Sequence, residues 1–275
     1  MGYSIVKKIQ MLLDEVSHIE VVKAIGQTGE INYIPKAGET DIDIFVLGDK
    51  VPSYEERKAV YDRNSTLFQQ CNMKVCEGGV WGTGDIFIID GVETMLMYFS
   101  IDETLEYIDD ILDGKYLDSS KGFYPIGRCA TFENINIIYD EMKVLSTLKE
   151  KLSIYPEKLR SDMINFHITK TIDEEGFGRA LLRKDILFYH QVIEASIDHF
   201  LQALYAINKV YFPSRKRTKQ YIDSFQIKPE NCYERLLYVI KYSSSPENIE
   251  KSYSEWCALV DDLKNTVNIC NNVII

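Results

Sequence analysis

Long apolar runs are missing from this 275-residue chain. No segment approaches the roughly 20 consecutive apolar residues that a membrane-crossing helix needs, so no such helix is expected. The opening MGYSIVKKIQ lacks the apolar stretch of a secretory signal, and Val6 stands where a myristoylation signal has Ser or Thr. A cytoplasmic protein is therefore expected. No CxxC pair occurs among the six cysteines at 71, 76, 129, 232, 257 and 270. Their spacing matches no zinc framework, and free thiols in a reducing compartment are expected. The four histidines are scattered; His190 and His199 lie nine apart in a helical stretch, on opposed faces, where they cannot share a metal. Basic residues are in deficit, 31 Lys and Arg against 42 Asp and Glu, for a formal net charge of −11. Such a field repels nucleic acid and anionic membranes, so a small-molecule substrate is expected. There is no P-loop, no GxSxG and no Ser/His/Asp order, and hydrolase and P-loop kinase chemistry have no support.

What is present changes character partway along. Residues 3–16 have helical apolar spacing at Ile5, Ile9, Leu12, Leu13 and Val16. Residues 20–27 and 41–47 suit strands. Ser53 and Glu56 form a capping-box pattern for a helix over 53–70. A short strand is predicted at 73–77. A β-hairpin follows, turning at Asp90-Gly91, and then a helix over 102–113 closed by Gly114. From about 135 the pattern is almost wholly helical, with a long element over 179–212 ended by Pro213 and further helices near 215–224, 230–242 and 247–270. The organisation implied is α+β, with a mixed sheet and helices over residues 1–120 and a helical bundle over 121–275. Asp140 is read as a helix cap and Trp256 as core.

The chemistry sits in residues 24–49, AIGQTGEINYIPKAGETDIDIFVLGD. Side chains alternate along a strand, so Asp41 and Asp43 share one face, roughly 6.6 Å apart along the backbone. Two like charges flanked by apolar residues are costly unless a cation neutralises them. Gly26 and Gly29 bracket the preceding turn, where glycine lets backbone N–H groups approach an anion. A phosphate cradle beside paired acids fits metal-assisted phosphoryl chemistry.

This glycine turn followed by Asp41-Ile42-Asp43-Ile44 resembles the signature of the DNA polymerase beta-type nucleotidyltransferase superfamily. Within it the chain is most similar to aminoglycoside- and lincosamide-type nucleotidyltransferases and their bacterial relatives. Residues 91–100 (GVETMLMYFS) and 203–216 (ALYAINKVYFPSRK) extend the resemblance. It implies a nucleotidyltransferase fold followed by a helical domain, with the site in the cleft between them. It further implies Mg²⁺ held by Asp41, Asp43 and a third carboxylate. ATP or another nucleoside triphosphate would donate its nucleoside monophosphate to a hydroxyl of a small molecule, releasing pyrophosphate. Gly26, Gln27, Thr28 and Gly29 would contact the triphosphate, and Lys216 falls where the similar segment carries a lysine.

Two positions depart from that pattern. Gln27 follows Gly26 where the family has Ser, so Thr28 is the alternative hydroxyl, or Gly29-Glu30 the true counterpart. The third carboxylate falls on Met95, which cannot ligate Mg²⁺. Glu93, on the same strand face, is the first substitute; Asp85 is the second, reachable only if a bulge switches its face. The alternative function is a non-catalytic nucleotide-binding or interaction protein that lost the third ligand. A third reading is a nucleotidyltransferase acting on a protein or RNA end. Trp81 has two readings, a ring-stacking platform or a plug at the core edge. Lys36 and the basic cluster at 215–219 have a phosphate-contact and a solvated reading.

Overall fold

The computed structural model describes residues 3–29, 36–118 and 123–272, with side chains to residue 267. Its contacts divide the chain into two compact units, Met1–Asp110 with Thr131–Ile154, and Ile111–Ala130 with Tyr155–Ile275. This differs from a single boundary near 120, because residues 131–154 return to the first unit.

The first unit is built on a six-stranded mixed sheet. Its strands are β1 (Val22–Gln27), β2 (Ile42–Gly48), β3 (Gln70–Cys76), β4 (Thr83–Ile89), β5 (Val92–Ser100) and β6 (Asn136–Asp140), in the order β3-β4-β5-β2-β1-β6. Only β2 and β5 pair in parallel; the other neighbours are antiparallel. The α+β expectation holds. The almost wholly helical reading from about 135 misses one strand. Asn136–Asp140 is an edge strand on β1, and its β-branched run was outweighed by the helical pattern around it. The first helix, α1 (Ile5–Ser17), buries the five predicted residues against the sheet. The capping box at α2 (Tyr54–Arg63) is formed: Ser53 Oγ accepts from Glu56 N at 3.2 Å, and Glu56 Oε2 accepts from Ser53 N at 2.7 Å. That helix is shorter than predicted, since a 3-10 turn (Ser65–Leu67) leads into β3. Asp90 and Gly91 both adopt positive φ, 50° and 80°, as a type I′ hairpin turn requires. The helix α3 (Ile101–Leu112) follows β5, and Gly114, at φ 83°, closes it. After α4 (Ile126–Glu133) and β6, the carboxylate of Asp140 accepts from the N–H groups of Leu145 and Ser146, capping α5 (Val144–Leu152).

One sheet face is the core: Ile42, Ile44 and Val46 of β2, Leu96 and Tyr98 of β5 and Phe87 of β4 pack under α1 and α2. Set into it is a buried ion pair between Arg57 of α2 and Asp85 of β4. Tyr61 Oη donates to Asp85 Oδ2 at 2.7 Å, and the backbone N–H of Lys74 donates to Oδ1 at 2.9 Å. The Tyr61 and Tyr98 hydroxyls meet at 2.5 Å. Burial pushes both phenols above the usual tyrosine range, so they stay protonated and act as donors.

The second unit is helical: α6 (Glu157–Ile168), α7 (Glu174–Arg183), α8 (Ile186–Ile207), α9 (Thr218–Ser224), α10 (Cys232–Tyr242) and α11 (Ile249–Asn272). The predicted element at 179–212 is two helices. Lys184 turns left-handed at φ 52°, and Asp185 then caps α8 by accepting from Phe188 N. Trp256 is fully buried, and its indole donates to the Thr171 carbonyl at 2.8 Å. The described cysteines 71, 76, 129, 232 and 257 are free thiols; the side chain of Cys270 lies outside the described residues. No described helix is long and apolar enough to cross a membrane.

A histidine pair ties α6 to α8, with His167 Nδ1 and His199 Nδ1 2.8 Å apart. One ring must donate and the other accept, so the accepting ring is neutral, and burial disfavours charge on either. Burial, and then the neighbouring His199 ring, push His167 down to about 3; burial also lowers His199.

Two outcomes follow from this packing. Asp85→Ala leaves a guanidinium unpaired in the core, and urea denaturation should show a loss of about 3–5 kcal/mol. The histidines set the second. The unfolded chain takes up protons below about pH 6.5 while the folded rings resist, so stability is full above that value and declines as pH falls toward the folded pKa. His167 alone should cost about 2 kcal/mol between pH 7 and pH 5. His167→Gln should flatten denaturation midpoints over that window; an unchanged slope would refute the neutral pair.

Candidate functional site

The second sheet face carries the acid pair. Buried Ile42, Ile44 and Val46 alternate along β2 with Asp43 and Phe45, so the Asp43 carboxylate lies away from the α1 core; Asp41 immediately precedes the strand. Farther along this face Phe45 stacks on Phe99 at 5.6 Å and meets Phe132 edge-on at 5.5 Å. The aromatic end is thus covered, whereas Asp41 is exposed and Asp43 half-buried. Asp41 accepts from Thr40 Oγ1 at 3.3 Å.

The parallel register decides what stands beside the pair. Asp43 is level with Met95 on β5, and Ile42 with Thr94. Glu93 is exposed on the acid-bearing face, as expected from its two-residue offset from Met95. It does not complete a metal cage: among the described residues no group of three or more His, Cys, Asp or Glu is arranged to hold an ion. Asp85 is a correction. It pairs with Leu96, projects to the opposite face and is locked to Arg57 and Tyr61, so no bulge brings it to Asp43. Met95 leans away from β2. A Cβ added at Gly84 would meet Met95 Cε at 2.6 Å and Cys76 Sγ at 2.6 Å, which places the thioether methyl over β4.

The glycine bend is also sharper than the sequence suggested. Gly26 lies inside β1, opposite Phe45, and is not part of a turn. A Cβ there would come within 2.6 Å of Ile135 Cδ1, so its glycine serves packing and not phosphate approach. Gln27 pairs with Ile44, and Thr28 N donates to the Asp43 carbonyl at 3.0 Å. The backbone of both residues is therefore committed to the sheet, leaving the half-exposed side chains of Gln27 and Thr28 available. Only Gly29 has the bend geometry, at φ 77° with open space around it. Asn136 of β6 holds this bend, its Nδ2 donating to the carbonyls of Gly29 at 2.5 Å and Gln27 at 3.3 Å. The sequence reading missed Asn136 by taking its segment as helix; the β-branched Ile135, Ile137 and Ile138 were the available signal. Glu30, the alternative counterpart of the family serine, lies outside the described residues.

The remaining candidates are dispersed. Lys36 is exposed, with its backbone N–H on Glu39 Oε2. Lys216 is exposed in the second unit, ahead of α9. Arg215 is engaged by Asp198 and Glu194, and Lys219 by Asp223. Asn208 is structural, bracketing Ile227 with Nδ2 to its carbonyl at 2.7 Å and Oδ1 from its N–H at 3.1 Å. Tyr211 is buried against Tyr155. Trp81 is 52% exposed on its loop.

The donor chemistry can be tested against a divalent cation. Mg²⁺ prefers hard oxygen ligands and is commonly held by one or two carboxylates together with substrate phosphates. Asp41 and Asp43 fit that partial role.

Among known proteins, residues 125–217 match the family described as a domain of unknown function, DUF4037, and residues 183–263 match that of YpoC-like proteins. Each covers less than half of the chain. No curated protein matches. A solved structure that is similar is the nucleotidyltransferase-like protein from Exiguobacterium sibiricum 255-15. It is 10% identical, with a TM-score of 0.46 over 96% of this chain and 78% of that one.

The two glycines should separate in mutagenesis. Gly26→Ala forces Ile135 aside and should cost about 1–3 kcal/mol. Gly29→Ala meets no atom and should cost about 1 kcal/mol of left-handed strain. Thermal melts read both, and equal shifts would contradict the packing role of Gly26.

Proposed function

We propose that this chain is a nucleotidyltransferase that moves a nucleoside monophosphate from a nucleoside triphosphate, ATP foremost, to a hydroxyl of a small molecule. The observation that carries this reading is the juxtaposition on one strand pair. Asp43 lies on the open sheet face with Asp41 just ahead of its strand, and the Thr28-Gly29 bend lies directly across from Asp43. The resemblance of the same residues to the polymerase beta-type signature supports it. The net charge of −11 favours a small acceptor over nucleic acid.

In this reading Asp41 and Asp43 hold Mg²⁺, which supplies neutralisation of the triphosphate charge when bound. The Thr28 hydroxyl and the Gly29 bend face the phosphates, and Asn136 keeps the bend in place from β6. The acceptor oxygen bonds to the α-phosphorus as the bond to the bridging oxygen of pyrophosphate breaks. Lys216 is assigned to the triphosphate by the resemblance alone. Glu93, two residues before Met95 on β5, is kept as a candidate third carboxylate.

One observation favours a second reading, a nucleotide-binding protein without turnover: the position beside Asp43 is Met95. Calorimetry of ATP with Mg²⁺ should show binding by the wild type and a loss on the order of tenfold or more in Asp43→Asn. Pyrophosphate release in an acceptor screen selects the enzyme. Metal-dependent binding without release from any acceptor selects the second reading, and binding unaffected by Asp43→Asn refutes both.

A further inference from the structure

Helix α10 carries apolar residues on two opposite sides. Cys232, Leu236 and Val239, with Ser243 just past the end, are buried at helical spacing on the side packed against α11. Glu234, Leu237, Tyr238 and Lys241 recur at the same spacing on the reverse side, and all four are exposed. An outward stripe of this kind is ordinarily polar from end to end. Here its middle is Leu237, 48% exposed, and Tyr238, 38% exposed, with Ile240 at its flank 49% exposed. Single exposed apolar side chains need no explanation, but adjoining ones on one helix face make a patch fitted to a partner. We infer that this stripe is the contact between two copies of the chain, packed as an antiparallel α10–α10 pair about a two-fold axis between Leu237 and Tyr238.

The charges at the two ends of the stripe identify the occupant as a second copy. Glu234 stands three residues before Leu237, and Lys241 three after Tyr238. A two-fold axis across the helix sets residues equidistant from it opposite one another. Leu237 of each copy then meets Tyr238 of the other, and Glu234 of each meets Lys241 of the other. A parallel pair would set glutamate against glutamate and lysine against lysine, so charge selects the antiparallel arrangement. Neither Glu234 nor Lys241 has an ion-pair partner among the described residues; Lys241 Nζ lies 5.8 Å over the Tyr242 ring. The cations near Glu234 are taken, Arg235 by Glu255 and Asp262 and Lys219 by Asp223. Tyr238 is held ready by Tyr242, with ring centroids 4.1 Å apart, so it loses little freedom on docking. The stripe is about 16 Å long and buries less than a standard interface, which makes the pair weak, with a dissociation constant on the order of micromolar or above. The contact lies in the second unit and needs no turnover in the first.

Sedimentation equilibrium of the full chain, from about 1 µM to about 1 mM, measures the pair. The wild type should pass from monomer towards dimer across that range. Glu234→Lys and Lys241→Glu each set like charges against one another twice, and each should weaken the dimer on the order of tenfold or more. The chain carrying both substitutions again has opposite charges facing across the axis, and its dimer should return to within about threefold of wild type. Leu237→Asp, at the centre of the patch, should leave a monomer throughout. All these positions face solvent, so far-ultraviolet circular dichroism should match that of the wild type. A wild type still monomeric at about 1 mM overturns the inference, whether the patch is then bare or fitted to another protein. So does a dimer unmoved by Glu234→Lys or Lys241→Glu, which would use another face. A double variant no better than the two single ones overturns it as well, because only the two-fold antiparallel pairing predicts the rescue.

Discussion

The parallel pairing of β2 with β5 is the constraint on which the first unit depends. It runs unbroken from Ile42–Thr94 to Gly48–Ser100 at the middle of the sheet. Because side chains alternate, this one register assigns every residue of both strands to a face. Ile44, Val46, Leu96 and Tyr98 go to the core under α1, and Asp43, Phe45, Met95 and Phe99 go to the other side. A shift by one residue would bury the aspartates and expose the core. The energetic penalty for that slip is what aims the acid pair outward.

The two faces carry different kinds of polar chemistry. Beneath the sheet, charge is tolerated only when fully answered. Asp85 accepts from Arg57, Tyr61 and the Lys74 backbone. In a dry interior such a pair fixes the approach of α2 to β4 more than it adds net stability. On the open face, Asp43 is half-buried and Asp41 exposed, with Ile42, Ile44 and Met95 beside them in sequence or register. Asp85 is held rigidly by the Arg57 guanidinium, the Tyr61 hydroxyl and a backbone N–H. That contrast separates Asp85 from Asp43, which share a residue type and differ in little else locally.

Much of this was legible in local pattern. The α1 stripe, the Ser53–Glu56 capping box and the Asp90-Gly91 turn each depend on residues within a few positions of one another. Gly26 was misread because its lack of a side chain answers to Ile135, more than a hundred positions away. Strand β6 was missed for a related reason. Five residues between helices carry little periodic signal, and only pairing with β1 makes them a strand. The break at Lys184 was overlooked because apolar spacing continues across it while the backbone turns left-handed.

The amino-acid order by itself determined which residues could be helix, hairpin or acid pair, since those outcomes rest on short-range sterics, periodicity and capping. Tertiary structure decided what the pair has for neighbours. Strand order and register placed Met95 beside Asp43, turned Asp85 to the core and brought Asn136 to the bend. Hydrogen bonds between distant strands select a register through the summed burial of both faces, and no local stretch of sequence contains that sum.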